Sequence, residues 1–178
     1  MKVPHKTPAL DVAIDLCSYV SGFVDGEGCS CVSFQPSQRH RFGWEIRPSF
    51  SVSQNAERAE LLYLIRDLWG CGSIRPDRSD RTIKFEVRGI QSLVDVVFPH
   101  FDRFPLRSSK RFDVSRMKFI CHEMAGGRHL EVECFKKIVT IAMEMNPSGK
   151  RKYSGSEILS SLQPGERIVY AVGNHGST

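Results

Sequence analysis

Two carboxylates set at alternate positions between glycines, in Phe23-Val24-Asp25-Gly26-Glu27-Gly28, are the residues of this chain best placed for chemistry. Leu16, Val20, Phe23 and Val24 recur at helical spacing behind Asp15, which predicts a helix over about residues 10–25 that runs straight into this acidic turn. Ser18, Gly22 and Gly26 fall four apart along it. Such a stripe of small residues lets a second helix come unusually close, and two copies of this helix would set their carboxylates side by side. Carboxylates that close repel one another unless a cation lies between them. Taken alone, the four residues from Asp25 to Gly28 also suit an ordinary polar turn that closes an amphipathic helix.

Strands and helices must hold that turn in place. From Cys29 to Gln35 the chain alternates, with Ser30, Val32 and Phe34 on one side and Cys29, Cys31, Ser33 and Gln35 on the other. A polar, basic turn over residues 36–42 carries Ser37, Arg39 and His40. A second strand is expected over about 43–53, with Trp44, Ile46, Phe50 and Val52 opposed to Glu45, Arg47, Ser49, Ser51 and Ser53. Pro48 should mark a local break or an edge in it. A helix over about 56–69 offers Ala59, Leu61, Leu62, Ile65, Leu68 and Trp69 as its buried face, ended by Gly70 to Gly72.

The strand pattern then repeats around Ile74 and through Ile83, Phe85 and Val87, which alternate with Thr82, Lys84, Glu86 and Arg88. Further helices are expected over 111–120 and 156–162. The class is therefore α+β, one αββαββα unit followed by C-terminal helices, with no linker interrupting it. A single domain over residues 1–178 is expected, its core at about 10–125, C-terminal helices and a basic loop at about 126–163, and an irregular tail at 164–178.

If the four strands form one antiparallel sheet with helices on its apolar side, the other side displays Ser33, Gln35, Glu45, Arg47, Ser51, Arg75, Asp77, Thr82 and Lys84. Arginine can grip guanine through two bonds, glutamine suits adenine, carboxylates accept from cytosine, and serine or threonine adapt to several bases. Solvation of an open sheet is the plainer use of the same pattern. A net charge of +5 over 178 residues leans toward a polyanionic partner. The six cysteines show neither CxxC pairs nor zinc-site spacing, and are expected to be reduced, mostly buried thiols of an intracellular protein. Phosphate-binding and dinucleotide glycine loops, nucleophile elbows, a secretion signal and membrane-spanning stretches are all absent from the sequence.

Val20 to Gly28 resembles the signature of the LAGLIDADG homing endonucleases, with Gly22, Asp25, Glu27 and Gly28 at the defining positions. The resemblance extends over about residues 16–162. It implies a saddle-shaped, four-stranded DNA-binding sheet and a homodimer packed through the signature helix at Ser18, Ser21, Gly22 and Gly26. It also implies a catalytic divalent metal held by Glu27 and Gly26, with Mg²⁺ for cleavage and Ca²⁺ supporting binding alone. Gln54 and Arg58 fall where the family keeps residues around its catalytic water. Lys110 falls at the family's catalytic lysine, with Arg107 or Arg111 as substitutes if the run aligns one residue differently. Lys150, Arg151 and Lys152 match its phosphate-gripping loop, and Ser37, Arg39 and His40 in the turn between the first two strands are expected among the DNA-binding residues.

The implied activity is hydrolysis of a long, pseudo-palindromic double-stranded DNA site with short 3′ overhangs, in intron or intein homing. No membrane or small-molecule cofactor is implied. The protein would act with the genome that it targets, in a bacterial or archaeal cytoplasm or an organelle matrix or stroma. The alternative is a catalytically inactive DNA-binding regulator or RNA maturase on the same fold.

Overall fold

The computed structural model describes residues 15–76, 81–147 and 149–162. Helix α1 (Leu16–Glu27) opens at an N-cap, where the Asp15 carboxylate accepts the Cys17 backbone N–H at 3.2 Å. That cap starts the helix later than its periodicity suggested, and the helix also runs two residues beyond Asp25 to Glu27. Residues 10–14 lie outside the described residues. No loop follows α1, because β1 (Gly28–Pro36) starts at the next residue. Only glycine fits this junction: a Cβ on Gly28 would stand 2.5 Å from the Val24 side chain and 2.7 Å from its carbonyl oxygen.

Strand β1 pairs antiparallel with β2 (Trp44–Asn55) from Gly28 opposite Val52 to Pro36 opposite Trp44. Strands β3 (Ser73–Pro76) and β4 (Thr82–Val87) complete an antiparallel sheet in the order β1-β2-β4-β3. Pro48 does not break β2; it is buried opposite Val32. Because β4 pairs with β2 only from Phe50 to Asn55, β2 has an open edge at Pro48, where a missing N–H costs no ladder bond.

One face of this sheet carries the core. Val32, Phe34, Ile46, Phe50, Val52, Phe85 and Val87 are buried there, each group separated along its strand by residues of the opposite face. Completely buried side chains of this size contribute about 1.5 to 3 kcal/mol each relative to exposure. A 3₁₀ turn (Ala56–Arg58) precedes α2 (Glu60–Trp69), whose Leu62, Ile65 and Trp69 reach the core. Leu68, expected on that face, is instead 39% exposed, one helical step of about 100° beyond the buried stripe. Trp69 meets Phe50, Phe85 and Phe101 with ring centroids 5.4, 5.8 and 5.9 Å away.

A continuous helical stretch follows β4: α3 (Ile90–Ser92), a π turn (Leu93–Val97) and α4 (Phe98–Arg103). The Phe98 N–H bonds back to the Leu93 carbonyl, a widened turn just before Pro99, which has no N–H to keep the ladder in step. Helix α5 (Lys110–Ala125) packs under β1 and extends past the expected range at both ends. Helices α6 (Val132–Met143) and α7 (Gly155–Ser160) close the far end, where Phe135 lies 6.3 Å from Phe34 and 4.8 Å from Phe42.

Glu123 joins α5 to the following turn through Arg128, whose donors hold the Glu123 carboxyl down to about 2. All six cysteines are free, as expected, but only Cys121 is buried and Cys29 is exposed. Their alternation along β1 puts Cys29 and Cys31 on the face away from the core. No helix among the described residues is long and apolar enough to cross a membrane.

Candidate functional site

The end of α1 is tied to the segment before α5 by a closed set of hydrogen bonds. The Asp25 carboxylate accepts the Arg107 N–H at 2.7 Å, the Ser108 N–H at 3.1 Å and the Ser108 hydroxyl at 2.7 Å. The Ser108 oxygen in turn accepts the Lys110 N–H at 3.2 Å. Lys110 then reaches back, donating from Nζ to the Gly26 carbonyl at 2.7 Å. Burial pushes the Asp25 carboxyl up, but the Ser108 and backbone donors and the Lys110 charge outweigh it and leave it below the usual carboxylate range. Asp25 therefore anchors the loop that presents Lys110.

Among the three basic residues that the sequence left in contention, Lys110 is the one on the helix end. Arg107 contributes its backbone N–H and exposes its side chain, while Arg111 stacks over Phe112 at 4.8 Å. Glu27 is exposed beside Gly26, at a helix C-terminus whose last carbonyls favour positive charge. Gln54 lies inside β2, two residues beyond Val52, the partner of Gly28. Register thus sets Gln54 alongside the Gly26–Glu27 end, on the helix-covered side of the sheet, opposite Ile83. Arg58 is exposed on the 3₁₀ turn after β2.

The outer face of α1 carries Ser18, Gly22 and Gly26, all exposed. Among the described residues a Cβ added at Gly22 or Gly26 would meet nothing within 4 Å, so none of them closes the stripe. Leu16 and Tyr19 flank it, 37% and 51% exposed. Ser21, expected on the same stripe, faces the other way. Its hydroxyl donates to the Phe104 carbonyl at 2.7 Å and lies 3.2 Å from His100 Nε2, because its helical angle groups it with buried Val20 and Val24. Burial holds the His100 ring below its usual pKa.

The sheet face turned away from the helices carries Ser33, Gln35, Glu45, Arg47, Ser51, Arg75, Thr82 and Lys84, as the alternation predicted. Asp77 lies outside the described residues. Arg47 donates to the Gln35 side chain and sits 3.8 Å from Glu45, so these three form one patch toward the far end of β1. Ser37 and His40 bond to each other at 2.9 Å in the β1–β2 turn, with Arg39 exposed beside them.

Lys150 and Lys152 are exposed, but Arg151 turns inward and donates to the carbonyls of Val32 at 3.1 Å, Met145 at 2.8 Å and Ala142. It fastens the basic loop to β1 and α6. Asn146 helps: it adopts a positive φ of 48° and donates to the Ser30 carbonyl at 2.7 Å. Spacing in the sequence carried no sign of the Arg151 clamp or of the Ser108 anchor. The grouping around Glu86 was also missed, although its place among the outward residues of β4 was a usable signal.

Residues 20–121 match the family model described as LAGLIDADG endonuclease. Homing endonuclease I-ApeII of Aeropyrum pernix is 27% identical over 166 residues, covering 84% of this chain and 95% of that protein. The crystal structure of a homing endonuclease, I-TnaI, is 31% identical with a TM-score of 0.71, covering 82% of this chain and 95% of that one. An archaeal intron-encoded homing endonuclease complexed with DNA is 25% identical with a TM-score of 0.75, covering 82% and 92%. Matching intron proteins of Neurospora crassa and Podospora anserina are much longer, and this chain spans 21% to 32% of their length.

Proposed function

This chain belongs to the LAGLIDADG endonuclease family, and from that premise we propose that it is a site-specific double-strand DNA endonuclease that acts as a homodimer in intron or intein homing. The observation that carries the reading is the end of α1, where exposed Glu27 and the Gly26 carbonyl meet the Lys110 ammonium. Two relatives matched over more than nine-tenths of their length support it, one described as a homing endonuclease and the other solved with DNA. The whole of 1–178 is read as one endonuclease domain, working wherever its target genome lies.

Each copy contributes one Glu27, so the cation site is complete only when two α1 helices pack along Ser18, Gly22 and Gly26. Glu27 and the Gly26 carbonyl are hard oxygen donors of the kind Mg²⁺ takes, and the ammonium already at Gly26 supports an outward carbonyl suited to positive charge. Once bound, a divalent cation would stabilise charge at the phosphate and lower the pKa of the attacking water. Lys110 brings its charge to the phosphate being cut, and Gln54 orients the water from the neighbouring strand. Asp25 has its oxygens occupied and holds the Lys110 loop in place.

The six residue steps from Cys29 to Gln35 along β1 extend about 20 Å, the length of roughly six base pairs. Two sheets related by a two-fold axis therefore suit the two half-sites of a pseudo-palindrome in the major groove. Lys150 and Lys152 grip phosphate at the flank.

The test is a plasmid that carries the uninterrupted allele of the host gene, incubated with wild type and Glu27→Gln in Mg²⁺ and in Ca²⁺. Wild type is expected to cut in Mg²⁺, leaving 3′ overhangs, and to bind without cutting in Ca²⁺. Glu27→Gln is expected to bind and not cut. Specific binding by wild type with no cut in Mg²⁺ would instead indicate a regulator, and cutting by Glu27→Gln would remove Glu27 from the site.

A further inference from the structure

Resting on the DNA-binding reading above, we propose that Glu86 is a positioning residue for base recognition, which locks Arg75 and Arg88 into a fixed pair of guanidinium forks that read guanine in the centre-proximal part of each half-site. Glu86 lies on the outward face of β4 yet is only 9% exposed, because it sits mid-sheet between Ser51 of β2 and Ser73 of β3. Arg75 donates to it from Nη2 at 2.8 Å. Arg88 binds it through two atoms, Nε at 3.0 Å and Nη2 at 3.1 Å, and the Ser49 hydroxyl donates at 2.8 Å.

These contacts consume the carboxylate. With both oxygens engaged by donors, Glu86 has little left to offer a cytosine amino group and does not itself read bases. Burial would push its carboxyl up, but the Ser49 and Arg88 bonds and the charges of Arg88 and Arg75 hold it below the usual range, so it stays ionised at neutral pH.

The arginines are the exposed part of the group, at 51% and 54% of their side chains. A guanidinium has two edges that can donate in parallel: the side edge of Nε and Nη2, and the end edge of Nη1 and Nη2. Glu86 takes the side edge of Arg88, which leaves its end edge outward, the geometry that fits O6 and N7 of guanine. Among the described residues Arg75 is held by Glu86 through one N–H, and its half-exposed side chain presents the rest of its fork to the groove. Fixing both side chains before DNA arrives removes part of the rotamer entropy that a free arginine would lose on binding.

The position follows from register. Glu86 shares a row with Ser51 and Cys29, and Arg75 shares the next row with Ser53, one step closer to the Glu27 end of the sheet. Gln35 and Glu45 occupy the opposite end of β1. The bases that Arg75 and Arg88 read therefore lie nearer the cut than those that the Arg47 patch reads.

The experiment is selection of binders from a randomised duplex library in Ca²⁺ with the full chain, as wild type and Glu86→Gln, plus affinity for random-sequence duplex across salt. The expected result is roughly a tenfold or greater loss of guanine preference at inner positions of each half-site. Affinity for random duplex should stay level or rise about two- to threefold, since the basic face loses a negative charge. An equal loss on every sequence, or an unaltered inner preference, overturns the proposal.

Arg75→Ala and Arg88→Ala keep the test open should Glu86→Gln fail to fold. Each should erode guanine preference at its own pair, and unchanged preference in both overturns the assignment. A wild-type chain with no base preference at all would overturn the endonuclease reading as well, and that arm is read before any variant.

Discussion

Asp25→Ala is expected to cost stability and cleavage together, because the same carboxylate braces the fold and sets Lys110. The substitution removes three hydrogen bonds to a charged acceptor, from the Arg107 N–H, the Ser108 N–H and the Ser108 hydroxyl. Two of the three are half-buried and one is exposed, so about 1 kcal/mol each is a fair figure, or about 3 kcal/mol in all. For a chain of this size that corresponds to a fall in Tm of about 6 to 12 °C. Ser108→Ala removes the hydroxyl's bond to Asp25 and the acceptor of the Lys110 N–H, and should lose about two-thirds as much.

Freed of its anchor, the 107–110 segment no longer fixes Nζ of Lys110 at the Gly26 carbonyl. A displacement of about 1 Å there should slow single-turnover cleavage about 10²-fold. Urea and thermal unfolding, followed by tryptophan fluorescence, measure the first effect, and single-turnover cleavage below the unfolding range measures the second. If Asp25→Ala unfolds and cuts like wild type, the bracing argument is wrong. If stability falls but the cleavage rate does not, Lys110 is not set by this anchor.

Gly22→Leu should convert the proposed homodimer to monomers while leaving the single chain as stable as before, because a Cβ at 22 meets nothing within 4 Å among the described residues of its own protomer. An unchanged sedimentation coefficient would count against packing through that stripe. Acid stability has a definite sign, since the Asp25 and Glu86 carboxyls both sit below their usual values in the folded state. The stability that they add is complete above the ordinary carboxylate pKa of about 4 and is lost as pH falls through the lowered values. Tm should thus begin to decline as pH falls through about 6.5, where the unfolded chain protonates His100 and the folded one resists, and fall further below about pH 4 as the carboxylates protonate. An acid limb below about pH 4 that is unchanged in Asp25→Ala would contradict this.

Alternation in β1, β2 and β4 was legible in the sequence because one face of each strand is covered and the other is wet, so the apolar residues fell into register by themselves. The Glu27–Gly26–Lys110 grouping was legible only as a resemblance, since nothing in local periodicity links residues more than eighty positions apart. Ser21 was misplaced because it was grouped by size with the outward small residues, although its helical angle sets it beside Val20 and Val24, where it meets the end of α4. Leu68 was misplaced because the buried stripe of α2 is narrower than its apolar content. Arg151 was read among its basic neighbours, whereas its partners are backbone carbonyls that carry no sequence signature.

Gly28 leaves no slack between α1 and β1, since the strand begins where the helix ends and the two approach too closely for any side chain. In the proposed homodimer, a rigid joint of this kind makes a fixed-gauge caliper: the tilt at which the two protomers meet dictates how far apart their reading surfaces stand. Such a tool tolerates altered letters far better than an inserted or deleted one, because a changed base weakens one contact whereas a changed spacing throws an entire arm out of phase with the double helix.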